Sequence, residues 1–173
     1  MKNFSGQALY LDRSDINTDE IIPAKYLTEN TKEALKLHIL EDLHLESFDV
    51  TKDMAGKNII VTKSNFGCGS SREHAVWVFE VNNINVVIAE SFARIFRQNM
   101  FNCGMLAIEL PRSDIDALFS LGTDTVISID LEQNKIVAEN GKGEKKVITF
   151  ELNSFDRALV MAGGWLAYAD SKY

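Results

Sequence analysis

The order of a strand, a glycine-containing turn and a helix between residues 58 and 81 constrains the fold more than any other feature of this sequence. Residues 58–62 (Asn-Ile-Ile-Val-Thr) are typical of a buried strand, because β-favouring apolar residues are flanked by polar ones. Residues 64–75 then read Ser-Asn-Phe-Gly-Cys-Gly-Ser-Ser-Arg-Glu-His-Ala, and an apolar run continues to residue 81. The sequence therefore predicts that two glycines, two serines and an arginine form the first turn of a helix.

Strand and helix patterns alternate through the first two-thirds of the chain. Strands are predicted at residues 7–11, 58–62, 85–89 and 105–110. Helices are predicted after the glycine turn, over residues 91–101 and from Pro111 to residue 118. Strands and helices that alternate with short connections pair in parallel, so we expect an α/β core.

The segment between the first two strands is predicted to be less regular. Residues 17–30 are expected to be irregular because Pro23 blocks a helix, and residues 44–56 are expected to be mostly loop. Between them, a capping signal at residues 30–33 precedes an apolar helical face. This predicted face consists of Ala34, Leu35, Leu37, Ile39, Leu40 and Leu43.

The C-terminal part of the chain has a different pattern. Alternating stretches at residues 125–130, 135–139 and 145–151 are separated by turn residues, which predicts a β-meander. A last helix is predicted over residues 154–162, ended by two glycines. Because we find no repeat, low-complexity tract or linker, the sequence predicts a single domain over residues 1–173.

Composition excludes several classes of protein. At 173 residues the chain is long enough to bury one core, and its net charge of −7 argues against a nucleic acid or an acidic membrane as partner. No apolar run approaches the ~20 residues that cross a bilayer. The N-terminal residues lack the apolar centre of a signal peptide, so we expect a cytoplasmic protein.

The glycine turn has the chemistry of an anion site. The start of a helix exposes backbone N–H groups, which together with the helix dipole favour a bound negative charge. Arg72 adds a guanidinium that can bind a carboxylate through two parallel hydrogen bonds. The turn matches neither a dinucleotide fingerprint nor a phosphate-binding loop with Lys-Ser/Thr. The alternatives are structural: Ser70 and Ser71 as helix caps, and Arg72 as a surface residue.

The cysteine and histidine content predicts that this chain holds no metal. An iron–sulfur cluster is held by about four thiolates, or about three where one iron is open, whereas the chain has only Cys68 and Cys103. These two are interpreted as small buried side chains. His38 and His44 are expected on a helix surface, and His74 is expected to be buried and hydrogen-bonded.

Three ordered blocks of the chain resemble one protein family. The first is Asp15-Ile-Asn-Thr-Asp-Glu-Ile-Ile-Pro-Ala24 followed by Tyr26-Leu27. The second is the Asn-Phe-Gly-Cys-Gly-Ser-Ser-Arg-Glu-His-Ala run, and the third is Val87-Ile-Ala-Glu-Ser-Phe-Ala-Arg-Ile-Phe96 with Asn99 and Gly104. Together they resemble the aconitase-type swivel domains, in particular the small subunits of 3-isopropylmalate dehydratases.

This resemblance implies a fold, a reaction and a partner. The fold is an aconitase swivel-type β/β/α domain with a mostly parallel core sheet and a β-rich C-terminal part. The reaction is dehydration and rehydration of a hydroxy-dicarboxylate in leucine biosynthesis, catalysed with a large subunit in a heterodimer or heterotetramer. The family's [4Fe–4S] cluster lies on that large subunit, so no cofactor is expected in this chain.

The resemblance also implies roles for residues of the site. Ser70 matches the catalytic base, while Ser71 and Arg72 match positions that bind substrate carboxylates. Asp19 matches an acidic catalytic residue near the site, with stabilisation of a turn as its alternative. The residues assigned to support of the loop are Gly67, Gly69, Glu73 and Arg94. Among these, Glu73 is expected to brace Arg72 or the helix start, and Arg94 to hold the loop from behind.

Substrate selection is assigned to the residues after Tyr26-Leu27. In homoaconitase-like relatives an arginine follows this pair, whereas here Thr28 and Glu29 follow it. Thr28 cannot neutralise an extra carboxylate and Glu29 would repel one, which favours an isopropylmalate; Lys25 just before the pair leaves the assignment open. The alternatives are a related hydro-lyase, such as homoaconitase or 2,3-dimethylmalate dehydratase, and an anion-binding module without catalysis.

Overall fold

The computed structural model of the protein describes residues 2–173, and seven strands in it form one sheet. The strands are β1 (Gly6–Leu11), β2 (Lys57–Thr62), β3 (Val86–Ala89), β4 (Leu106–Glu109), β5 (Val126–Asp130), β6 (Lys135–Glu139) and β7 (Lys145–Thr149). Their order across the sheet is β4-β3-β2-β1-β5-β6-β7. Strands β1 to β4 pair in parallel, whereas β5, β6 and β7 extend the sheet in antiparallel fashion. The predicted parallel core and β-rich C-terminal part are confirmed.

Seven α-helices and two short 3-10 helices surround this sheet in the described part of the chain. The α-helices are α1 (Thr18–Ile21), α2 (Val50–Asp53), α3 (His74–Val81), α4 (Arg94–Asn102), α5 (Arg112–Phe119), α6 (Ser154–Ala162) and α7 (Trp165–Lys172). The 3-10 helices are Ala24–Tyr26 and Glu33–His38. Helix α3 connects β2 to β3, and α4 connects β3 to β4. Both helices therefore begin at the edge where the parallel strands end.

The two halves of the sheet bury their side chains differently. All four residues of β3 are buried, as expected for a parallel strand that is covered on both faces. In β5 and β6 the buried residues, such as Ile127 and Ile136, alternate with exposed ones, so one face of the meander meets solvent.

The predicted α-helix with its apolar face up to Leu43 is wrong. The structure has a 3-10 helix over Glu33–His38, and Leu37 of the predicted apolar face is 89% exposed. Leu35 and Leu40 are buried, but Leu40 has a positive φ of 54°, which no continuing α-helix allows. Successive turns, rather than one helical stripe, place these leucines in the core.

Other helices form where none was predicted. Helix α1 lies in the segment expected to be irregular, because the Asn17 side chain accepts from the Glu20 N–H and the Glu20 carboxylate accepts from the Asn17 N–H. Helix α2 forms in the predicted loop behind the Asp49 cap. Helix α7 follows the two glycines, since Gly163 (φ 91°) ends α6 and the chain restarts beyond it.

Candidate active site

The loop that joins β2 to α3, here called the serine loop (residues 64–73), is not part of a helix. Gly67 and Gly69 have φ values of 81° and 92°, so the backbone turns through left-handed conformations before α3 begins at His74. The prediction that the serines lie on the first helical turn is therefore wrong. No described side chain caps α3 at Glu73, so Ser70 and Ser71 are not its caps.

Gly67 is required by the packing below the serine loop. A Cβ atom at this position would lie 2.2 Å from Cγ of Phe96. That ring packs edge-on against Phe66 with the centroids 5.4 Å apart, and Phe66 is almost fully buried. The close contact between the Gly67 backbone and the Phe96 ring fixes how closely the loop packs on the core.

The segment that leads into α1 holds the serine loop from one side. The Gly67 N–H donates to the Ile16 carbonyl at 2.8 Å, and the Thr18 N–H donates to the Cys68 carbonyl at 2.9 Å. The Thr18 hydroxyl also donates to the Ser70 carbonyl at 2.8 Å. The first and second blocks of the sequence thus form one structural unit.

A cavity of about 270 Å³ lies between the serine loop and the start of α4. Ser70, Ser71, Arg72 and Arg94 line it, and no acidic residue does so among the described residues. Residues 93–96 also line it, and Ala93 provides no side-chain cap for α4. Free N–H groups of the first turn of α4 and two guanidinium groups therefore favour an anion here.

A larger cleft elsewhere is less suited to a dicarboxylate. It measures about 680 Å³ and lies between β1 and residues 45–57. Its charged residues are Asp12, Glu46 and Asp53 opposite Lys52 and Lys57, so its net charge is not positive. Electrostatics therefore favours the smaller cavity as the candidate site.

The fold joins two predicted site residues that are distant in sequence. Asp19, in the first turn of α1, forms an ion pair with the Arg72 guanidinium. The Arg72 side chain is 14% exposed, whereas Asp19 is 59% exposed. Asp19 thus braces Arg72 from the solvent side, which is one of the two roles predicted for Glu73. Glu73 directly precedes α3, where its negative charge interacts favourably with the positive end of the helix dipole.

The structure places Thr28 outside the cavity wall. Thr28 lies exposed in a turn after the 3-10 helix Ala24–Tyr26. Its neighbour Glu29 contacts the first residue of α3, because the Glu29 carbonyl lies 3.1 Å from Nε2 of His74. His74 is hydrogen-bonded as predicted, but it is half-buried against Trp77 rather than buried.

Both cysteines are half-buried free thiols, rather than the small buried side chains predicted. Burial and the nearby Asp15 carboxylate raise the pKa of the Cys68 thiol. Burial raises the pKa of Cys103 to about 11. Within residues 2–173 no group of three or more His, Cys, Asp or Glu side chains is arranged to hold a metal ion.

Similarity to known proteins agrees with this geometry. Residues 2–113 match the family model described as the aconitase C-terminal domain. A protein from Karelsulcia muelleri (strain GWSS), named 3-isopropylmalate dehydratase small subunit, is 37% identical over 157 residues, covering 85% of this chain and 80% of the relative. The chain belongs to the 3-isopropylmalate dehydratase small-subunit family. A protein of the same name from Leptospira interrogans is 32% identical, and the match covers 94% of this chain and 85% of that relative.

The fold of the small-subunit family is also found in a solved structure. The crystal structure of 3-isopropylmalate dehydratase from Methanocaldococcus jannaschii superposes with a TM-score of 0.79 at 34% identity, over 97% of this chain and 93% of that one. The predicted family and swivel-type fold are confirmed. The enzyme of this family is a hydro-lyase, and the name small subunit implies a large-subunit partner. No helix within residues 2–173 is both long and apolar enough to cross a membrane.

Sequence reasoning about this small subunit missed two features of the cavity. Arg94 was expected behind the loop but lines the cavity itself, and no described side chain pairs with it. Thr18 was not assigned any role, although it is 1% exposed and contacts the serine loop twice. The capping box of Asn17 and Glu20 was the available signal, because it places Thr18 at the first position of a helix.

Proposed function

We propose that this chain is the small subunit of a 3-isopropylmalate dehydratase, which interconverts 2-isopropylmalate and 3-isopropylmalate by dehydration and rehydration in leucine biosynthesis. The observation that carries the proposal is the cavity that places Ser70 beside Arg72 and Arg94 in a chain of this family. A dicarboxylate presents two anionic groups, and the cavity offers two cationic side chains with free helix N–H groups.

Ser70 is the proposed base, which removes the proton from the carbon next to a substrate carboxylate. A serine hydroxyl is far too basic to ionise unaided at neutral pH, so neighbouring positive charge and N–H donors must stabilise the alkoxide. Arg72 and the first turn of α4 supply such groups at the cavity wall. The same groups stabilise negative charge that develops on the substrate carboxylate as the proton leaves.

Ser71 and Arg72 are the proposed ligands of the substrate carboxylates, and Asp19 is the proposed acidic partner in the site. In the free protein the Asp19 carboxylate occupies one edge of the Arg72 guanidinium. This pair holds the guanidinium in place while its other N–H groups stay available for substrate. Asp19 therefore orients Arg72 before substrate binds. Gly67, Gly69, Glu73 and Arg94 complete the proposed site as supporting residues.

The reaction needs a Lewis acid for the departing hydroxide, and a [4Fe–4S] cluster on the large subunit would supply it. This chain has only two cysteines, fewer than the about three or four thiolates that hold such a cluster. The small subunit would instead contribute the base and the carboxylate ligands, in a heterodimer or heterotetramer in the cytoplasm.

Reconstitution tests this proposal. The chain mixed anaerobically with a large subunit of the family should interconvert the two isopropylmalates, whereas the chain alone should stay colourless with iron and sulfide and convert neither. Turnover or cluster absorption by the chain alone would contradict the proposal that the large subunit holds the cluster. A complex active only on 2,3-dimethylmalate or homoaconitate would indicate a related hydro-lyase. A complex without turnover on any of these acids would indicate a non-catalytic module.

A further inference from the structure

Thr18 makes an unusual set of contacts with the serine loop. Its side chain is 1% exposed, its N–H donates to the Cys68 carbonyl at 2.9 Å and its hydroxyl donates to the Ser70 carbonyl at 2.8 Å. These two bonds lie on either side of Gly69, which has a φ of 92°. Thr18 therefore fixes the loop just before and just after its left-handed turn.

The Thr18 hydroxyl makes the one described hydrogen bond to the main chain of Ser70. Across residues 2–173, no second hydrogen bond holds the main chain of either Ser70 or Ser71. Neither residue belongs to a helix or strand, so no regular backbone pairing defines their conformation. The Ser70–Ser71 segment is therefore held by this one hydrogen bond, and its conformation depends strongly on it.

The orientation of one peptide group links this contact to the cavity. The carbonyl of Ser70 and the N–H of Ser71 belong to the same planar trans peptide, so they point in opposite directions. When the carbonyl points at Thr18, the Ser71 N–H points away from it and stays free of any described acceptor. Because Ser71 lines the cavity, this unpaired N–H can donate to an oxyanion that binds there.

We infer that Thr18 is a positioning residue, whose hydroxyl sets the Ser70–Ser71 peptide and thereby the place of the base and of one anion donor. This inference rests on the proposed function, because it gives Ser70 a catalytic task. A misplacement of about 1 Å in a catalytic group costs on the order of 100-fold in rate. Loss of the Thr18 hydroxyl should therefore lower kcat roughly 10- to 100-fold.

Three substitutions separate the hydroxyl from the packing of its methyl group. Thr18→Val keeps the shape and removes the hydroxyl, whereas Thr18→Ser keeps the hydroxyl and removes the methyl. Thr18→Ala removes both, so comparing it with Thr18→Ser isolates the hydroxyl even if Thr18→Val fails to fold. In the reconstituted enzyme, Val and Ala should lower kcat far more than they raise KM, and Ser should restore most of kcat.

Two results would overturn this assignment. One is a wild-type kcat for Thr18→Ala or Thr18→Val, and the other is an equal loss for Thr18→Ser and Thr18→Ala, since the methyl group would then carry the effect. Ser70→Ala in the same assay keeps the two proposals distinguishable. If Ser70→Ala is fully active, the assignment of the base is wrong; if only the Thr18 variants are unaffected, the positioning role is wrong.

Discussion

The serine loop and the turn between β6 and β7 both follow strands of the same sheet, but they differ in how many of their polar groups are hydrogen-bonded within the protein. In the β6–β7 turn, Asn140 accepts from the Lys142 and Glu144 N–H groups, and its side chain also donates to the Leu121 carbonyl at 2.9 Å. In the serine loop, the main chains of Ser70 and Ser71 together make one described hydrogen bond, in which the Ser70 carbonyl accepts from the Thr18 hydroxyl. The first arrangement stabilises the fold, while the second leaves donors available for a ligand.

Topology explains this difference. Antiparallel strands β5 to β7 are joined by short turns that close on themselves. Parallel strands require crossovers through helices, so the ends of β2 and β3 are followed by irregular loops and by the starts of α3 and α4. Unpaired N–H groups therefore collect on the parallel half of the sheet. Substitutions in the two regions should separate function from stability.

The largest expected effect is on Ser70. In the reconstituted enzyme, Ser70→Ala should lower kcat by roughly 10²- to 10⁴-fold, the usual contribution of a positioned acid–base group. Substrate binding should change little, because the carboxylate ligands remain. Steady-state kinetics and a binding titration measure both quantities. Activity within a few-fold of wild type would contradict the role of Ser70 as base.

Arg72→Lys should weaken substrate binding strongly while the protein stays folded. A lysine is a point charge that replaces neither the two parallel hydrogen bonds to a carboxylate nor the simultaneous contact with Asp19. A loss of about 1.5–3 kcal/mol, the range for hydrogen bonds to charged groups, raises KM on the order of 10- to 100-fold. The matched variant is Arg94→Lys, which should have a smaller effect because Arg94 is exposed at the cavity rim. Equal KM values for the two variants would contradict the proposal that Arg72 binds the substrate carboxylate more strongly than Arg94 does.

The sequence predicted the regions of regular pattern better than the regions of irregular backbone. All seven strands and the meander were found, because alternation and apolar runs carry local information about strands. The segment that contains Leu40 was misread, since its positive φ depends on packing of that side chain in the core. Likewise, the Asp19–Arg72 pair joins residues far apart in the chain. Nothing local indicated which acid would meet the arginine.

Asn140→Ala tests the other region of the comparison, the turn between β6 and β7. Asn140 is 8% exposed and its side chain satisfies a buried carbonyl and two N–H groups. Leaving such groups unpaired should lower the free energy of unfolding by about 1–3 kcal/mol. Urea unfolding of the chain measures this loss, and kcat of the reconstituted enzyme should stay unchanged. A loss of kcat without a loss of stability would mean that the meander takes part in the reaction.

The smallest effect expected concerns Thr28, which remains the predicted selector of the substrate side chain. Thr28 lies outside the cavity wall of the isolated small subunit, and the contact between the Glu29 carbonyl and His74 joins its turn to the start of α3. Thr28→Arg should lower kcat/KM for isopropylmalate, because a cation would lose water against an alkyl group. It should raise kcat/KM for acids with an extra carboxylate, where a charge-assisted pair becomes available.

The measurement for Thr28→Arg is the ratio of kcat/KM for isopropylmalate and for homoaconitate, in wild type and variant. A change of ~1.4 kcal/mol in relative preference is tenfold and easily resolved. Thr28→Gln is the matched control, since it adds length without charge and should shift the ratio much less. If neither variant moves the ratio, Thr28 is too far from substrate and selection belongs to the large subunit. If both move it equally, length rather than charge decides, and the electrostatic argument against a distal carboxylate is wrong.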